Sequence, residues 1–284
     1  MPDLTHVPPL VEINARIPFL SGPAQVWRSV RAHRHLIANF IQRDFALKYR
    51  NSALGYVWSL LQPTLLSAVY FLMFVIIAGK PEARSPLWIF VGVIVWTFFS
   101  RVLNDGVTCL TRSEGMIKQV YFPREIFAIT SAGSQLLIAA ISLVVVLPMM
   151  IYYRLAPTPY LLMVPAGFLL AALLGLGVGL GAACLNVVNR DVEQGFKFFT
   201  RAGLFLSPIM WTFDKIPQSR DGLHDYLMLN PVAVPITMVR KGFDGEPLGL
   251  APGWVLYSVA FCVLSFLIGT MIFKRFEADV VKKI

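Results

Sequence analysis

The sequence predicts an all-α membrane protein of six transmembrane helices, with an N-terminal amphipathic interface helix and re-entrant half-helices before the last span. Three observations lead there. Of 284 residues, 56% are hydrophobic and only 14% charged, and the mean hydropathy of +0.65 is too apolar for a soluble domain of this length. Apolar runs recur at lengths of about 20 residues, enough for a helix to cross a hydrocarbon core about 30 Å thick. Lys and Arg also fall unevenly between the connecting segments. With the N-terminus inside, 18 of the 25 lie on the cytoplasmic side and seven outside, the bias that sets orientation in membranes.

Residues 1–24 contain Pro2, Pro8, Pro9, Pro18, Gly22 and Pro23, which deny a continuous helix and predict a flexible arm. No short basic-then-apolar leader precedes the spans, so the N-terminus is expected to stay in the cytoplasm. Over residues 25–50, Val26, Trp27, Val30, Leu36, Ile37, Phe40, Ile41, Phe45 and Leu47 alternate with arginines at helical spacing. Such a basic amphipathic helix lies in the membrane interface, apolar face toward acyl chains and arginines toward phosphate.

Residues 51–284 form the expected six-span domain. The first run, Val57–Gly79, opens on Tyr56 and Trp58 at the interface and carries Pro63, which is expected to kink it. Pro86–Leu103 and Ile126–Tyr153 follow. The fourth, Tyr160–Leu185, holds two interleaved GxxxG pairs, Gly175/Gly179 and Gly177/Gly181, which predict close helix packing. A dinucleotide loop is excluded, because position 180 is leucine and no βαβ unit surrounds it. The fifth, Phe196–Phe213, carries Lys197 and Arg201, so its first turn belongs in the headgroup region. Between it and the last run, Trp254–Phe273, Leu227–Val239 is apolar, too short to cross and interrupted by Pro231 and Pro235, within the segment 227–243. Re-entrant half-helices are expected there.

No catalytic machinery is legible. There is no GxxxxGK[ST] loop, and the Gly79-Lys80 pair is followed by proline, so ATP is not expected to bind this chain. His6, His33, His35 and His224 lie outside the spans without an i+4 partner of metal-ligand type. Cys109, Cys184 and Cys262 read as small buried hydrophobes, with no disulfide and no metal site. The net charge of +9 reads as a topology signal and not as a nucleic-acid footprint. Near the spans, Arg101 and Asp105 stand at i,i+4 and are expected to pair with each other; a proton relay is the competing reading. A pathway so poor in charge needs an external energy source or a downhill gradient.

The segment Asp44-Phe-Ala-Leu-Lys-Tyr-Arg-Asn-Ser-Ala-Leu-Gly-Tyr-Val-Trp-Ser-Leu-Leu-Gln-Pro63 resembles the stretch that opens the first span in ABC-type polysaccharide export permeases. Tyr121-Phe-Pro-Arg-Glu125, Asn189-Arg-Asp191 with Ser207-Pro-Ile-Met-Trp211, and Asn230-Pro-Val-Ala-Val-Pro235 fit the same family, and the likeness runs from about Leu36 onward. The resemblance implies a permease subunit that exports lipid-linked polysaccharide such as O-antigen, capsule, teichoic acid or mycobacterial galactan. It implies a homodimer in the bacterial inner membrane with both termini cytoplasmic, two copies of a separate ATPase that binds ATP and Mg, and a polyprenyl-pyrophosphate carrier on the glycan. A permease of the same fold for a drug, peptide or small lipid remains an alternative, as does an ion-coupled transporter or passive channel.

Three sets of residues take roles from the resemblance. Residues 111–125 correspond to the cytoplasmic coupling loop that meets the ATPase, with Glu114, Met116, Tyr121, Phe122 and Arg124 as contacts. An exposed apolar ridge there calls for a partner, or lies on the membrane surface. Lys48 and Arg50 are candidates for the pyrophosphate headgroup, since charge-assisted pairing with phosphate suits them; attraction to anionic lipid explains them equally well. Tyr56, Trp58 and Tyr70 on the first span, with Phe198, Phe199, Phe205 and Trp211 on the fifth, are candidates to line the glycan channel. For any single ring, lipid contact or core packing competes.

Overall fold

The computed structural model describes residues 18–48, 50, 52, 54–79, 82–119, 123–211 and 222–281, and every described regular element is helical. The stretch expected as one interface helix comprises two, α1 (Gly22–Ala32) and α2 (Arg34–Lys48), which meet at His33. Both rest on protein: α1 packs against the last long helix and α2 against the third span. Most of the arm expected over residues 1–24 lies outside the described residues, but its last part does not. It is ordered as a helical turn followed by the start of α1, and a Cβ on Gly22 would fall 2.8 Å from Met271 Cα.

Five helices are long and apolar enough to cross a membrane: Val57–Ile77, Ser85–Val107, Glu125–Tyr152, Pro159–Val188 and Pro252–Val280. They correspond to the elements α3 (Val57–Ala78), α4 (Ser85–Val107), α7 (Glu125–Leu143) with α8 (Val146–Tyr152), α9 (Met163–Val188) and α13 (Pro252–Val281). Two short helices, α5 (Cys109–Arg112) and α6 (Glu114–Gln119), connect α4 to α7. The run expected as the fifth of six spans contains α10 (Asp191–Leu206), only 16 residues and so about 24 Å long. It starts with Asp191, Glu193 and Lys197, and it falls short of the length and apolarity of the other five.

The hub is α4. It is mostly buried and touches α9, α7, α3, α12 (Ala233–Asp244) and α10. By contrast, α3 has few fully buried residues and leans mainly on α4 and α7. Pro63 sits inside α3 and cannot donate to Ser59 O one turn back; Ser142 Oγ of α7 stands 2.9 Å from that carbonyl and shares its one proton between it and Ile138 O at 2.8 Å. The helix continues through the proline, with a neighbouring hydroxyl beside the freed carbonyl.

Four of the five glycines of α9, all but Gly167, set its close packing on two sides. Cβ atoms at Gly175 and Gly179 would fall 3.0 Å from Val102 Cγ1 and 2.8 Å from Leu103 O, both on α4. At Gly177 one would lie 2.5 Å from Phe266 N, and at Gly181 3.4 Å from Gly269 Cα, both on α13. Residues two apart point to nearly opposite sides of a helix, so each GxxxG pair serves a different neighbour. Hence α9 lies closely between α4 and α13, its most extensive contacts.

A buried ion cluster ties two of these helices together. Lys274 Nζ of α13 donates to Glu125 Oε2 at 2.6 Å and Glu277 Oε1 at 3.0 Å, tying the start of α7 to the end of α13. Cys109, Cys184 and Cys262 are free thiols in the interior.

Candidate functional site

The end of the helix group that carries α2 and α6 holds a polar seam. Asp105 of α4 accepts from Arg112 Nη1 at 2.8 Å, Ser131 Oγ at 2.5 Å and Gln135 Nε2 at 3.0 Å. Arg101, one turn earlier, donates to Gln62 Oε1 of α3 at 2.9 Å. The expected Arg101–Asp105 pair is therefore not formed. An arginine N-terminal to its acid at i,i+4 is the weaker order on a helix, and α3 and α7 offer each group a better partner. A small polar-edged crevice between α3, α4 and α7 is lined by Gln62, Arg101, Gln135, Thr97 and Ser142.

Lys48, the last residue of α2, faces this seam. Desolvation pushes its ammonium down to about 8, with the Arg101 cation adding to the fall and Asp105 opposing it. Lys48, Arg101 and Arg112 against the single Asp105 leave this group of four with an excess of positive charge. Phe45 stacks on Tyr56, ring centroids 4.9 Å apart, and so sets the turn between α2 and α3. Arg50 lies in that turn and is exposed.

Of the expected ring wall, Tyr56 and Trp58 are exposed at the start of α3, whereas Tyr70 is half-buried against the core. Phe198, Phe199 and Phe205 project from α10. The two ring-bearing helices both lean on α4 and make no substantial contact with each other. The α10 side is set by Trp96 Nε1 donating to Thr200 O at 3.2 Å and by Gly203, which leaves room for the Trp96 ring. Trp211 is half-buried near Trp254 and lies away from that wall.

In the connecting segment, α6 carries a Glu114–Lys118 pair at 2.7 Å, and this bond holds the Glu114 carboxyl below its ordinary range. Met116 and Ile117 are half-buried and packed against the core. The apolar ridge expected to be exposed is thus partly turned inward, because the short α5–α6 hairpin folds back onto the spans. Arg124 precedes α7 and is half-buried, while Tyr121 and Phe122 lie outside the described residues.

At the opposite end, sequence reasoning missed Arg240. It is 5% exposed on α12 and donates to three backbone carbonyls: Trp88 O at 2.8 Å, Ile209 O at 2.6 Å and Trp211 O at 3.3 Å. The signal was the Arg240-Lys241 pair at the end of an apolar segment. Asn230 adds a second tie, its Nδ2 donating to Ser207 Oγ at 2.8 Å while its Oδ1 accepts from Val232 N at 3.1 Å. Two sequence stretches, 207–211 and 230–235, are thereby held as one unit around α11 (Leu223–Met228) and α12.

The model of the ABC-2 type transporter family matches residues 35–243 of this chain. Among curated proteins, an O-antigen export system permease protein of Myxococcus xanthus is 26% identical over 227 residues, covering 78% of this chain and 87% of its own. One of Klebsiella pneumoniae is 21% identical over 243 residues, covering 85% and 92%. A polysialic acid transport protein of Escherichia coli is 22% identical over 245 residues, covering 83% and 91%.

Proposed function

Because the chain belongs to the ABC-2 type transporter family, we infer that it is the permease subunit of an ATP-driven exporter that moves lipid-linked polysaccharide out of the cytoplasm. The observation that carries the substrate class is its likeness, over most of both chains, to proteins named for O-antigen export and polysialic acid transport. A multi-pass membrane chain of five long apolar helices accords with it. Orientation follows the Lys/Arg bias: both ends face the cytoplasm of a bacterial inner membrane, with α10 and the residues after it completing a sixth crossing. The α11–α12 pair then re-enters from outside.

Two copies are needed. In one chain α3 leaves an apolar face exposed, with Leu65, Val69, Leu72, Ile76 and Ile77, as α10 leaves its rings. A homodimer that brings α3 of one copy toward α10 of the other lines one passage with Tyr56, Trp58, Phe198, Phe199 and Phe205. The α5–α6 segment with Glu114, together with Arg124 before α7, meets one of two ATPase subunits, which hold ATP and Mg; this chain needs no cofactor of its own. The exposed side of α1 and α2 rests against membrane lipid.

The carrier's polyprenyl pyrophosphate meets Lys48, Arg50 and Arg101 at the seam. Charge-assisted hydrogen bonds of this kind contribute about 1.5–3 kcal/mol each. Lys48 is protonated below about pH 8 and loses its charge above it. Affinity of the purified exporter for lipid-linked glycan is therefore expected to fall up to about tenfold between pH 7 and 9. A Lys48→Arg variant, charged throughout, is expected to bind evenly across that range. A steep wild-type profile shared by the arginine variant would remove Lys48 from the headgroup site.

The export reading itself is tested by depletion. Lipid-linked glycan is expected to accumulate on the cytoplasmic leaflet, measured by leaflet-selective oxidation of the sugar. Normal delivery of glycan in depleted cells overturns the function.

A further inference from the structure

A cavity of about 480 Å³ opens at the end of the molecule opposite the polar seam, between the start of α4, the end of α12 and residues 246–250. Its size falls in the range of sites for small ligands. Its wall carries three carboxylates, Glu82, Asp244 and Glu246, and three cations, Arg84, Arg240 and Lys241. These charges answer one another. Lys241 Nζ lies 2.7 Å from Glu246, Arg84 Nη1 lies 3.6 Å from Glu246 and 3.9 Å from Asp244, and Arg240 is committed to the three carbonyls. A balanced set of this kind offers many hydrogen-bonding groups and little net field, so it favours a neutral polyol over an ion.

Two further features sharpen the class. The Asp244 side chain is only 3% exposed, and its Oδ2 accepts from Trp88 Nε1 at 2.6 Å. Its Oδ1 is buried, and among the described residues no donor hydrogen-bonds to it, Arg84 standing beyond reach at 3.9 Å. A buried acceptor without a donor is costly, and a ligand hydroxyl would satisfy it. Trp88 lines the same cavity and is fixed by its bond to Asp244. An indole beside a carboxylate acceptor suits a pyranose ring, which presents C–H groups to the aromatic surface and O–H groups to the acid.

We propose that this cavity binds a neutral sugar unit of the glycan as it leaves the passage, with Asp244 accepting a sugar hydroxyl and Trp88 packing on the ring. The proposal rests on the polysaccharide-export reading above. It adds an exit-side site distinct from the headgroup seam at the other end of α4.

The test is photocrosslinking in exporting cells, with a diazirine amino acid installed at Thr237 or, separately, at Leu248, both in the cavity wall. Tyr152, exposed near the same end of α8, is the control position. Glycan delivery is measured in the same cells. Light is expected to attach periodate-reactive carbohydrate to the protein from either cavity position, at least fivefold above the control, and Asp244→Asn is expected to reduce the yield at least fivefold. Delivery of glycan with no carbohydrate adduct from either position overturns the site. So does an adduct that mass spectrometry identifies as a phospholipid without sugar. Absence of glycan delivery attributable to this chain in the depletion experiment sinks the export reading instead, so the two failures are separable.

Discussion

Replacement of Arg240 by methionine is expected to lower stability by about 3 kcal/mol, a fall of roughly 6–12 °C in the unfolding midpoint of the detergent-purified protein. The guanidinium bridges three carbonyls from two separate segments, Trp88 at the start of α4 and Ile209 and Trp211 after α10. Each such bond to a charged donor is worth about 1.5–3 kcal/mol, and relief from burying a cation offsets part of the loss. Methionine keeps the apolar stem, so the change isolates the hydrogen bonds. Arg240→Lys is expected to recover little, because one ammonium cannot span the fork. Gly92→Ala attacks the same clamp from the other side, since its Cβ would sit 2.6 Å from Arg240 Nη2. A methionine variant that melts within about 2 °C of the parent would show that the carbonyls find other donors.

Gly177→Leu is expected to cost as much or more, by a different route. A side chain there meets the backbone of α13, 2.5 Å from Phe266 N, and backbone cannot move aside as a flexible side chain can. Overpacking typically costs about 1–3 kcal/mol where side chains yield; here two helices must separate along their most extensive contact. Gly195→Ala on α10 is the matched control. Nothing lies within 4 Å of its Cβ, and loss of a helical glycine stabilises by about 0.5–1 kcal/mol. Thermal unfolding of the two variants beside the parent checks both signs. Equal midpoints would mean that the α9–α13 approach carries no energy.

The parts of this fold that could be read in advance are those governed by local periodicity. Five apolar runs became five long helices because length and hydropathy are properties of a stretch by itself, and the glycine spacing of α9 announced close approach. Which neighbours came close could not be read: that Gly175 meets α4 while Gly177 meets α13 depends on where three helices sit. The same limit explains Asp105. Its sequence neighbour Arg101 looked like its partner, but Ser131 and Gln135 lie some 30 positions away and reach it through packing. Sequence offered Lys48 only as a headgroup candidate and gave no sign of its long-range neighbour Arg101, whose cation helps to lower the Lys48 ammonium. The inward turn of Met116 was illegible because an apolar residue on a connecting segment fits a docking ridge and a folded-back hairpin equally well.

The ion pair between Glu125 and Lys274 spans 149 positions, and Gly22 near the start of the described chain is pressed against Met271. Neither contact exists until α13 has been made. At roughly 5–20 residues per second of synthesis, the Glu125 carboxylate waits on the order of 7–30 s for its cation, and α1 waits longer still for its seat. During that interval a charged side chain at the start of α7 has no partner and the first helix has no dock. Birth of this protein thus includes a period in which most of its spans are in place but its packing cannot close. The final helix is therefore the piece on which closure of that packing depends.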